Sequence, residues 1–84
     1  MDTKTIVKQF GKNDADYGSS SVQVGLLTVK IKMLTKHLQQ HPKDLSTQRG
    51  LKSKVEARKK HLKYLKKNDL ELFHKVAEFF GIRH

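Results

Sequence analysis

Between Val22 and Leu38 the apolar residues fall into two interleaved series. Val24, Leu27, Ile31, Leu34 and Leu38 follow a 3-4-3-4 spacing, and Val22, Leu26, Val29 and Met33 a 4-3-4 spacing. At about 100° per residue each series is a stripe along a helix, and the two stripes lie roughly 150° apart. A helix that is apolar on two sides packs against other helices on both sides. This segment, capped by Ser19 or Ser20 and running to about Gln40, is therefore predicted to be the central member of a bundle. Beyond Leu34 only Leu38 continues either stripe, so the last turns should project from the core. Gly25 lies inside the pattern at a cost of about 1 kcal/mol against Ala, which points to a close approach by another helix.

The flanking segments carry narrower stripes. Residues 2–11 predict a short helix with Asp2 or Thr3 as cap, Ile6 and Phe10 on one face and Gly11 as its stop. So short a helix holds only by docking. Residues 12–19, KNDADYGS, are turn chemistry. Pro42 ends the central helix, and Asp44 or Ser46 starts the next, which runs to about Lys67. Leu51, Val55, Leu62 and Leu65 form its stripe, and Arg58 falls within it, its stem packed and its head free to escape. Asp69 caps a last helix with Leu70, Phe73, Val76, Ala77 and Phe80 inward, closed by Gly81. The predicted architecture is all-α: a small bundle of four helices, three of them long or packed and one short at the N-terminus.

Composition narrows the function. The 84 residues include no cysteine, which excludes disulfides and thiolate zinc and fits a reducing compartment. The first eleven residues lack the apolar core of a signal peptide, and no apolar run approaches a membrane span. Eighteen Lys and Arg against eight Asp and Glu give a net charge of +10. From Arg49 to Lys67 there are nine basic residues and one acid, Glu56. A field of this strength calls for a polyanion. Nucleic acid ranks before an anionic membrane, because Phe79 is the one bulky apolar residue expected outside the core.

The side chains not needed by the core are the informative ones. Opposite the apolar stripe of the third helix lie Arg49, Ser53, Lys60, Tyr64 and Lys67, at about 160–220°. Tyr64 is predicted exposed, with Lys60 four residues before it and Lys67 three after, so its ring can stack on a base or ribose while the ammoniums hold phosphates. An ordinary solvated face is the plain alternative. On the second helix Gln23, Lys30, His37 and His41 line one edge, a solvent strip or a contact line, and run into the hinge His37–Gly50, HLQQHPKDLSTQRG. His37 and His41 are one turn apart with Asp44 near, but no fourth ligand or companion Glu completes a metal motif. Asp44 serves as N-cap through one carboxylate oxygen, leaving the other for RNA, and His, Asp and Thr47 can address base edges and 2′-hydroxyls in the shallow groove of RNA. There is no phosphate loop, catalytic triad or carboxylate pair, and a bundle this small should lack a cavity of several hundred Å³. No enzyme activity and no cofactor is expected.

The stretches DYGSSSVQVGLLTVKIKMLTKHLQQHPKD (16–44), STQRGLKSKVEARKKHLKYLKKND (46–69) and the closing FFGIR resemble the ribosomal protein S-fifteen family over nearly the whole chain. The resemblance implies four helices, three forming a bundle with the N-terminal one mobile or docked. It implies a cytoplasmic RNA-binding domain over residues 1–84, monomeric in the ribosome beside neighbouring ribosomal proteins. The protein would bind a three-way junction and an adjacent helix of small-subunit rRNA, help nucleate platform assembly, and contact large-subunit rRNA as an intersubunit bridge. Carried over by position, the junction surface would use the turn Asp16, Tyr17 and Gly18 with Gln23, Lys30, Tyr64 and Lys67. A minor-groove site at a G–U/G–C element would use His37, Asp44 and Thr47. The sequence departs from the family pattern at Tyr17 (threonine), Ser21 (glutamate), Leu45 (histidine) and Thr47 (serine), and has lysine for arginine at Lys30, Lys60 or Lys67. Lysine keeps the charge and loses the bidentate fork. The other reading of the same charge is a nucleoid-type protein that binds duplex DNA nonspecifically.

Overall fold

The computed structural model describes residues 3–11 and 18–82. Within them are four helices and no strand: α1 (Thr3–Phe10), α2 (Ser20–Gln40), α3 (Leu45–Asn68) and α4 (Leu70–Phe80). Asp2, Asp16 and Tyr17, and with them most of the turn before α2, lie outside the described residues. The whole spans 39 × 25 × 19 Å. Its long dimension is the α2–α3 hairpin, against whose open end α1 and α4 pack.

α2 is two-sided, as its stripes predict. Val24 enters a cluster with Leu62 and Leu65 of α3 and Phe73 and Val76 of α4. Val22 enters a second cluster with Ile6 and Val7 of α1, and Phe10 and Phe80 bridge the two clusters. The first helix is docked: Ile6 and Val7 are buried, while Phe10 is half-buried. Val7 joins this face although only Ile6 and Phe10 were expected there.

The core is shorter than the stripes. No residue of α2 beyond Thr28 is fully buried, and Met33 is 66% exposed. α1 is eight residues long, or about 12 Å; its cluster takes in Val22, Leu26 and Val29 of the second stripe and leaves Met33 uncovered. Leu70, expected inward, is 52% exposed; it opens α4 at the chain reversal, past Leu65, the last buried residue of α3. The Gly25 expectation holds. A Cβ there would sit 2.6 Å from Ile6 Cγ2 and 2.6 Å from Phe80 Cζ.

The helix ends follow the cap chemistry. Asp69 accepts from the Leu72 amide at 3.1 Å. Gly81 closes α4 at φ 65°, with the Ile82 amide donating to Ala77 O at 2.8 Å, a left-handed C-terminal turn that glycine adopts without strain. Ser19 has the extended backbone of a cap but makes no side-chain cap bond. Its carbonyl accepts from the Gln23 amide instead, at 3.0 Å.

Arg58 corrects one expectation. Its head does not escape: Nη1 donates to Thr28 Oγ1 at 3.3 Å, and that hydroxyl donates to Val24 O at 2.7 Å. Burial pushes the guanidinium below its ordinary pKa. The bond joins α2 to α3 where the apolar core runs out.

Candidate nucleic-acid interface

α3 carries nine basic residues against one acid, net +8, and the face opposite its apolar stripe is exposed. Tyr64 lies on it, 59% exposed, with Lys60 and Lys67 also exposed. The chain therefore places an aromatic ring in water between two ammoniums. Its backbone is tied down by Asn68 Nδ2, which donates to Tyr64 O at 2.9 Å.

Tyr64 is one wall of a cleft of about 440 Å³, with Gly18 and the serines 19–21 on the opposite lip and Phe10, Leu65 and Leu72 on the floor. Gly18 is exposed and has open space where a Cβ would stand. His61 holds this mouth in shape: its Nδ1 lies 3.2 Å from Ser20 Oγ, across 41 positions of sequence. The presence of clefts this large corrects the expectation that the bundle has no room for them. They are surface grooves between helix ends rather than chambers inside the bundle.

The other cluster lies at the far end of the hairpin. α2 ends at Gln40, His41 and Pro42 make the turn, and Asp44 caps α3. The turn is bonded throughout. The His41 amide donates to His37 O at 2.9 Å, the Asp44 amide to His41 O at 3.2 Å, and Gln48 Nε2 to Pro42 O at 2.7 Å.

Asp44 is more committed than the sequence suggested. Its Oδ1 accepts from the Thr47 amide at 3.1 Å. Its Oδ2 accepts from Thr47 Oγ1 at 2.7 Å and lies 3.0 Å from His37 Nε2. Both oxygens are used, so the expected spare oxygen does not exist in this conformation. The hydroxyl of Thr47, then His37, then the Thr47 amide hold the Asp44 carboxyl at a pKa of about 2, below its ordinary 3.8. An ionised carboxylate only accepts, so His37 Nε2 donates to it. The ring of His41 tilts over that of His37, with centroids 4.8 Å apart.

Thus the fold joins His37, His41, Asp44 and Thr47 at one end, and Gly18 and Tyr64 at the other with Lys60 and Lys67 alongside. Gln23, half-buried, and Lys30, exposed, lie on α2 between these ends, and Arg49 is exposed on the early turns of α3. Lys30 and Arg49 enter neither cluster. Sequence reasoning missed His61, Ser20, Asn68 and Gln48. For Asn68 the signal was its place one turn after Tyr64. For the His61–Ser20 pair no local signal exists.

The chain matches the family model described as ribosomal protein S15 over residues 3–83. It belongs to the ribosomal protein S15 family. Relatives named small ribosomal subunit protein uS15 agree closely. That of Mycoplasmoides gallisepticum is 50% identical over 84 residues, covering 99% of this chain and 93% of the relative. That of Chlorobium chlorochromatii is 54% identical over 78 residues, covering 93% and 88%. That of Fervidobacterium nodosum is 46% identical over 83 residues, covering 99% of each. As an S15-family member the chain is a structural, non-enzymatic protein of the small subunit of the cytoplasmic ribosome.

Proposed function

We propose that the chain binds small-subunit rRNA at two places at once, a three-way junction and the minor groove of an adjacent helix, and holds them in fixed relation. The observation that carries this reading is the separation of the two polar clusters on one hairpin. Seventeen residues lie from Ser20 to His37 on α2, and seventeen from Thr47 to Tyr64 on α3. At 1.5 Å per residue each path is about 26 Å, and the bonded turn and the Arg58–Thr28 tie keep the helices in register.

At the open end, Tyr64 stacks on an unpaired nucleotide while Lys60 and Lys67 take phosphates, Lys30 takes one farther along α2, and Gly18 with Asp16, Tyr17 and Gln23 follows the backbone. At the turn, the Thr47 proton and the His37 Nε2 proton are both directed at Asp44. With its proton committed to Asp44, Thr47 Oγ1 keeps its lone pairs as the cluster's acceptor. Guanine amino groups and 2′-hydroxyls are the donors that a shallow RNA groove offers to such a surface, which suits a G–U/G–C element. Arg49 and His41 flank it. Phosphate contacts supply most of the affinity and the turn supplies selectivity.

The same family reading makes the protein an early binder that helps nucleate platform assembly. In the assembled ribosome it would act as a monomer beside neighbouring proteins and reach large-subunit rRNA as a bridge. Chemical footprinting of small-subunit rRNA tests the proposal. Two foci of protection are expected, with Tyr64→Ala erasing the junction focus and His37→Ala the groove focus. Diffuse protection that duplex DNA displaces would instead favour a nonspecific polyanion binder.

A further inference from the structure

The charge of the molecule is polarised. Against net +8 on α3, α4 carries one lysine and two acids, net −1 with histidine neutral. That least basic helix also presents the exposed ring of Phe79, 42% accessible. Phe79 forms a ridge between two grooves. On one side lies a groove of about 590 Å³ with Phe10 and Leu72 in its floor and Lys75 and Glu78 on its rim. On the other is one of about 280 Å³, bounded by Val29, Met33 and Phe80 with Lys32 at its edge. The ridge is braced rather than loose: Phe79 meets Phe10 edge-on at 5.2 Å and Phe80 at 4.9 Å.

We propose that this ridge docks a basic protein segment, one placing an arginine or lysine beside a bulky apolar side chain. The apolar side chain seats between Phe79 and Met33, and the cation meets Glu78. Charge decides the occupant. Lys75 has Glu71 at 3.9 Å, whereas among the described residues no cation lies within ion-pair distance of Glu78. An arginine there also reaches the face of Phe79. RNA is disfavoured because a carboxylate stands on the rim and the described lining of the two grooves carries just two cations, Lys75 and Lys32, one to each groove. An acidic peptide meets the same carboxylate. A second copy must bring together two chains of net charge +10. Met33 and Phe79 flank one groove and are both exposed, and contiguous exposed apolar surface of this kind marks a contact site. The inference requires only that the chain sits in a ribosomal subunit and is independent of the two RNA contacts.

The test is photo-cross-linking in purified small subunits containing the chain with p-benzoylphenylalanine in place of Phe79, followed by mass spectrometry of the linked fragment. The expected product is a ribosomal protein segment with Arg or Lys next to an apolar residue. Its yield should fall about fivefold or more when Glu78→Lys is added, as a reversed charge at a contact weakens it. The same probe in place of Met33 approaches from the other groove and should reach the same segment, even if the Phe79 replacement impairs folding. Cross-links to rRNA, to an acidic segment or to a second copy, no cross-link from either position, or a yield indifferent to Glu78→Lys would overturn the proposal. The rRNA footprint of the Glu78→Lys variant, expected unchanged, separates this surface from the RNA contacts.

Discussion

Gly25→Ala adds a single methyl group at the crossing of three helices. The new carbon would lie 2.6 Å from both Ile6 Cγ2 and Phe80 Cζ, about 1 Å inside the usual carbon–carbon separation. Ile6 is fully buried and cannot swing aside, while the Phe80 ring tip has some freedom. Overpacking costs about 1–3 kcal/mol, and two such contacts belong near the upper figure. Removing a helix-interior glycine returns about 1 kcal/mol. The net is a loss of about 2 kcal/mol, or a fall in Tm of roughly 8–16 °C for a domain of this size. Urea unfolding followed by circular dichroism gives the first number. The Ile6 methyl resonances report whether α1 has moved. Since Phe10 also lines the Tyr64 cleft, displacement of α1 should weaken junction RNA as well. A variant that is stabilised by about 1 kcal/mol, the bare propensity gain, would show that α1 does not lie against Gly25.

Other outcomes follow from the same geometry. Tyr64→Ala should weaken junction RNA by roughly 1–3 kcal/mol through lost stacking, with Tyr64→Phe close to wild type; equal losses in filter binding would make the hydroxyl the contact. Asp44 has a depressed folded pKa, so its contribution to stability is present above the ordinary value of 3.8 and fades as pH falls through about 2. Acid titration of thermal stability should therefore show a smaller loss for Asp44→Asn than for wild type across that window. Thr28→Val removes the acceptor for Arg58 and should cost about 1 kcal/mol in urea unfolding, whereas Arg58→Met, which removes the desolvated cation as well, should cost less. If about six phosphates are neutralised, log K against log salt should slope by roughly −4.2 to −5.4.

Helical periodicity made the four helices legible, together with the two-sided burial of α2 and the caps at Asp44, Asp69 and Gly81. Periodicity says which face is apolar and not how far a neighbour extends along it. For that reason Met33 and Leu70 were placed inward, when α1 is too short to cover one and the chain reverses before covering the other. The exposed face of Tyr64 followed from angles alone. The Arg58–Thr28 and His61–Ser20 bonds join residues 30 and 41 positions apart and depend on the register between two helices, which no single stripe encodes. At the turn, proximity of His37, Asp44 and Thr47 was evident from their spacing. That all of them converge on one carboxylate required coordinates. The groove bordered by Glu78 and Phe79 was invisible in the same way, since it needs α1 as its second wall.

The central claim is that one rigid hairpin holds two RNA elements about 26 Å apart. Its most direct test compares an RNA carrying junction and G–U/G–C element at their native spacing with each element alone. The account predicts that the joined RNA binds at least about 100-fold tighter than the better single element, as expected when the second contact becomes intramolecular. It also predicts that inserting half a helical turn between the elements abolishes the gain. A joined RNA that binds no tighter than its better half, or a gain indifferent to the insertion, would contradict it.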